Sequence, residues 1–148
     1  MVRDLIYVGY DVTNMNFNLI NKNPTGKGFY RYKLELDDNV QLQEAEETKE
    51  QFLVFSAKNS VTGFMADEHG EETTDEVFRL TAEFEMKFRI HRTTPAKPDE
   101  IKECSWYFEN IAHMEGKRII DSLASHTLMR GASVPGDKRE YAKSEASE

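Results

Sequence analysis

A lone cysteine, four histidines and a dense population of acids are where any chemistry in this chain would have to begin. Cys104 with His113 or His126 has the ingredients of a thiol nucleophile and its base, since the reactive species is the thiolate. Yet Cys104 falls on an apolar helical stripe, where a free cysteine ordinarily packs as a small hydrophobe. His69, His91, His113 and His126 lie in different predicted elements, with no His-x-x-x-His pair and no acid at a metal-binding spacing. Glu83 and Glu85 share one face of a strand, but Arg79, Lys87 and Arg89 share it too, so a solvated ladder of ion pairs accounts for them. The eight glycines are scattered and none forms a phosphate-cradling loop. These residues point away from an enzyme and imply no cofactor and no metal.

Bulk properties narrow the class further. The 148 residues are 39% hydrophobic and 31% charged, which suits one globular domain, expected over residues 1–135, followed by a charged and mobile tail over 136–148. A net charge of −8 argues against nucleic acid as a partner, because phosphate binders need a basic face. One cysteine excludes an intrachain disulfide and fits a reducing compartment. No apolar run approaches the roughly 20 residues that span a bilayer, and Met1 to Leu5 carries no leader pattern, so a cytoplasmic protein without membrane insertion is expected.

The positioning elements follow from periodicity. Val12 to Ile20 alternates Asn14, Asn16 and Asn18 with Met15, Phe17 and Leu19, a strand with one dry face, closed by the turn residues Asn23 to Gly26. Tyr30, Tyr32, Leu34 and Leu36 alternate with Arg31, Lys33, Glu35 and Asp37 in a second strand. Val40 and Leu42 resume that pattern weakly inside a stretch read as a crossing loop up to Lys49. Gln51 to Phe64 is dense in β formers, Asp67 to Asp75 reads as a hairpin connection, and Phe78 to His91 alternates without a fault. Short connections make the sheet antiparallel.

Beyond Thr94 to Pro98 the period changes. Asp99 is the expected N-cap, and Ile101, Cys104, Phe108, Ile111 and Ala112 recur at helical steps. Ile119, Ile120, Leu123, Ala124 and Leu128 continue on a rotated stripe, which predicts either two helices divided near Asn110 or one helix bent near Gly116, ending at Arg130-Gly131. Trp106, Tyr107 and Met114 project off the main stripe and are expected either at a subunit interface or in the helix–sheet core.

The order of these elements resembles the SecB family of export chaperones. The resemblance is carried by Tyr32-Lys33-Leu34-Glu35-Leu36-Asp37 before a charged crossing loop, by Trp106 to Ile111, by Arg118 to Leu123 and by Arg130 to Pro135. It implies an α+β fold, with a four-stranded antiparallel sheet packed against one or two C-terminal helices. It also implies a dimer of dimers, and an ATP-independent chaperone that holds non-native polypeptides in an apolar groove for protein transport. By the match to the Tyr-x-Leu-x-Leu run, the groove is assigned to Tyr32, Leu34 and Leu36, joined by Phe17, Val40 and Leu42, with ordinary sheet core as the alternative. The sequence departs from the family after Pro135, where a further amphipathic helix is missing. That departure leaves two partners open, the SecA motor or an antitoxin. A dedicated interaction protein, antitoxin-specific or phage-encoded, is the competing reading.

Overall fold

A computed structural model describes residues 1–20 and 28–124. The turn expected at Asn23 to Gly26, the Arg130-Gly131 helix end, His126, Leu128 and the 136–148 tail all lie outside the described residues.

After a single 3₁₀ turn at Val2–Asp4, five strands and two helices follow in chain order: β1 (Leu5–Leu19), β2 (Gly28–Leu36), β3 (Gln41–Glu44), β4 (Gln51–Ala66), β5 (Glu72–Ile90), α1 (Pro98–Glu103) and α2 (Ser105–Ala124). The strands form one antiparallel sheet in the order β1-β5-β4-β2, with β3 lying along the same outer edge of β4 as β2. This is the expected α+β architecture, with the short β3 added where only a crossing loop was foreseen.

β1 is seven residues longer at its start than its alternation suggested. The reason is two bulges: the register to β5 shifts between Tyr7 and Gly9 and again between Val12 and Asn14, leaving Val8 and Thr13 unopposed and breaking the period of two. Gly9, with φ of +151°, supplies the backbone freedom beside the first bulge. The Asp67 carboxylate closes the β4–β5 connection by accepting the N–H groups of His69 and Glu71, both at 2.8 Å.

Register fixes the faces. Phe17, Leu80, Val61 and Tyr32 lie side by side across β1, β5, β4 and β2, on the face that carries the helices. Asn14, Asn16 and Asn18 lie opposite Glu83, Thr81 and Arg79 on the other face, as the alternation predicts. The dry face is sealed first by rings: Phe55 and Phe108 are 4.2 Å apart between centroids, and Phe88 is 5.0 Å from Phe108. A second cluster gathers Val61, Leu80, Phe78 and Tyr32 around Ile120.

The helical region divides at Cys104, not near Asn110 or Gly116. Cys104 has φ −92° and ψ 7°, and its N–H turns back to the Ile101 carbonyl at 3.1 Å, closing a tight last turn of α1. α1 begins at Pro98, whose fixed φ suits a first helical position, so Asp99 lies in the first turn and does not cap it. α2 runs unbroken through Gly116. The apolar stripe rotates there because the helix buries small and polar residues in its middle: Ala112, His113, Glu115 and Gly116 are all buried.

At Gly116, α2 lies close against the sheet. The buried Asn59 of β4 donates its side-chain N–H to the Gly116 carbonyl at 3.0 Å. A Cβ at this position would stand 2.8 Å from Tyr32 Oη and 3.0 Å from Asn59 Nδ2. Replacing Gly116 with Val is expected to cost roughly 1–3 kcal/mol by forcing α2 off the sheet. Chemical denaturation checks this, and an unchanged midpoint would show that the seat has slack.

Candidate functional site: an apolar cleft beside the sheet edge

β2 lies at the outer edge of the sheet, and α2 crosses toward it at Gly116 while α1 stands away. The gap is a cleft of about 1060 Å³. Its floor is Tyr32, Leu34 and Leu36 of β2 with Phe55 of β4. Its lip is the corner Asp37 to Val40 and Leu42 of β3. The opposite wall comes from the linker and helices, with Ala96, Pro98, Ile101, Phe108, Ala112 and His113, interspersed with Lys102, Ser105 and Glu109.

The far wall is held in place by two polar clamps. Gln51 donates to the Thr94 carbonyl at 3.2 Å and accepts the Ala96 N–H at 3.1 Å, fixing the linker against the start of β4. Arg92 reaches the carbonyls of Thr94 and Pro95 and grips the Glu100 carboxylate with both terminal nitrogens. Glu100 also accepts the Lys97 N–H at 3.0 Å, so α1 starts at a fixed angle.

Within the cleft, Tyr32 is buried, and its ring meets His113 edge-on at 6.0 Å. Burial pushes its phenol pKa up to about 12, with the negative charge of Asp121 adding and a hydrogen bond to Asn59 opposing. The group stays neutral, a ring with a polar tip. Leu34, Leu36 and Val40 are half-buried and Leu42 is 48% exposed, so apolar contact surface increases toward the lip.

Five of the six residues assigned to the groove from sequence thus come together here. Phe17 does not: β1 is at the far edge, beyond β5, and Phe17 stacks on Phe78 at 6.1 Å. Phe55, Ile101 and Phe108 were missed because a strand residue facing a helix and a helix residue facing a strand read as core. The break at Pro95 and Pro98, after which α1 forms the wall across the cleft from β2, was the available clue.

Of the off-stripe residues, Trp106 and Met114 are exposed, whereas Tyr107 is half-buried against Phe88 at 6.0 Å. Cys104 is buried in the main core. Among the described residues no group of three or more His, Cys, Asp or Glu is placed to hold a metal ion, and no helix is long and apolar enough to cross a membrane.

Sheet order, one-sided helices and a lateral cleft together define a SecB-like fold. The particular likeness is to the SecB-like chaperone Rv1957 of Mycobacterium tuberculosis, solved in complex with a ChAD peptide from the Rv1956 HigA1 antitoxin. The two share 10% sequence identity over 90% of this chain and 91% of that one, with a TM-score of 0.57. No family model and no curated protein matches the chain.

The Arg92 clamp makes the far wall sensitive to acid. The hydrogen bonds from Arg92, and then from the Lys97 N–H, pull the Glu100 pKa from 4.5 to about 2. A depressed carboxylate stabilises the fold above its ordinary value, and that contribution disappears as pH falls toward 2. The stability difference between the natural chain and a Glu100→Gln variant should therefore hold steady above pH 4.5 and shrink between 4.5 and 2. Denaturant midpoints across that range test it, and a constant difference would remove the clamp from the acid response.

Proposed function

We propose that this chain is an ATP-independent chaperone, without enzymatic activity, that holds extended non-native polypeptide segments in the cleft beside β2. The observation that carries this reading is the cleft itself: Tyr32, Leu34, Leu36, Val40 and Leu42 line up along one sheet edge. A buried Leu or Phe anchor contributes about 1.5–3 kcal/mol, and micromolar holding needs about 8 kcal/mol net of ordering costs. Several anchors must engage together, which an elongated trough permits.

Leu42 is the informative position because it is exposed, so its replacement spares the core. Leu42→Asp is expected to weaken suppression of client aggregation about tenfold while the unfolding midpoint stays put. Full suppression by this variant would remove the β3 end of the cleft from client binding.

A narrower version of the reading has support from the Mycobacterium structure, whose bound peptide comes from an antitoxin. On that version the cleft serves one dedicated partner, an antitoxin segment in place of generic clients for the SecA motor. Capture of one stoichiometric partner with no effect on aggregating clients distinguishes the two.

We further propose that exposed apolar side chains outside the cleft are contacts between copies in a dimer of dimers. They include the row Tyr10, Val12, Met15 and Phe17 on the helix side of β1, with Val8 at its first bulge and Ile6 opposite Arg89 on the other side, and Trp106 and Met114 of α2 with Tyr107 behind them. Such a row exceeds the scattered apolar residues normal for a monomer surface. Light scattering should then give about four times the 17.1 kDa chain mass. Trp106→Ala with Met114→Ala should lower it, and a monomer for the natural chain would overturn the assignment.

A further inference from the structure

Between Gln51 and Val61 of β4, and from Phe78 to Ile90 of β5, the face under the helices is apolar but for two side chains. They are the buried amides of Gln51 and Asn59. Gln51 bonds the Thr94 carbonyl and the Ala96 N–H, and Asn59 bonds the Gly116 carbonyl, so both grip main-chain atoms of the C-terminal region. On one face of β4 they stand about 26 Å apart. Every residue of the far wall of the cleft, from Ala96 to His113, lies in the chain between these two mounts. The floor is tied to the same strand, because β2 pairs with β4 from Gly28 to Leu36. β4 is thus the common frame for both sides of the cleft.

Apolar packing alone would not fix the wall on that frame. Hydrophobic attraction follows buried area and has no direction, so a helix on an apolar sheet loses its unique placement before it loses stability. A buried hydrogen bond weakens steeply with misalignment. Asn59 adds little net stability of its own, since it is fully buried and its Oδ1 has no hydrogen-bond partner among the described residues. The Gly116 carbonyl, in the middle of α2, is also served by the helix itself.

We infer that Asn59 is a positioning residue, which together with Gln51 fixes the far wall of the cleft relative to its floor and contributes placement in preference to stability. Resting on the cleft being the client site, a preset width reduces the ordering needed when a segment is held.

Spin labels at Asp38→Cys and Lys102→Cys, both exposed and on opposite sides, report the distance across the cleft in a Cys104→Ala background. Asn59→Leu keeps the branched shape and removes the donor. It is expected to leave the unfolding midpoint in place, to broaden the distance distribution about twofold and to weaken suppression of client aggregation about three- to tenfold. Asn59→Asp at about pH 5, where burial keeps the carboxyl protonated and able to donate, should restore the natural distribution. A distribution unchanged by Asn59→Leu, or a midpoint that falls with it, overturns the inference and leaves the chaperone reading intact. A broadened cleft that suppresses aggregation fully upholds the placement and overturns the cleft as the client site.

Discussion

α2 is seated on the sheet at a distance that only glycine allows, and the geometry of the molecule unfolds from that contact. With Asn59 bonded to the Gly116 carbonyl and Tyr32 packed beneath it, the second half of α2 is committed to β4 and β5. The first half packs Phe108 on Phe55 and Phe88, and the linker before it is pinned by Gln51 and Arg92, so the helices leave a wedge of β2 uncovered. The cleft is that wedge. Its floor is apolar because β2 keeps the alternation of a covered strand after the cover has moved away.

The two faces of the sheet divide the labour. The outer face is a surface of solvated pairs, with Arg79 against Glu76 and Lys87 over the Phe52 ring at 4.3 Å. Such contacts keep strands apart from other proteins without adding much stability. The helix face holds the folding energy in its rings and aliphatic side chains. The rim where the faces meet, along β2 and β3, combines apolar side chains with an exposed backbone edge and the acids Asp37 and Asp38. That rim is where a site belongs on physical grounds.

How much of this was legible depended on whether a rule was being followed or broken. β5 was readable from Phe78 onward because it is central, covered on one face and paired without a skipped residue there, the register shifts to β4 lying before it at Val77 and between Glu72 and Glu76. The start of β1 was not, since Val8 and Thr13 shift the phase of the alternation twice within a few residues. The helix boundary at Cys104 was hidden because a cysteine at a helical step looks like any core position, and the turn is set by its backbone angles. The groove was half visible: the Tyr-x-Leu-x-Leu run marks the floor, but the far wall depends on where a proline-bounded linker returns, which is a tertiary fact. Phe17 carried the same signature as the floor residues, and strand order alone separates it from them.

The bulges in β1 also bear on how copies of the molecule can meet. A long straight edge strand with greasy flanks is a template on which further strands add without limit, the route to fibrils. Two dislocations within 15 residues coil that edge and interrupt its ladder of amides. An aggregation-prone border is thereby converted into one that tolerates a bounded number of neighbours.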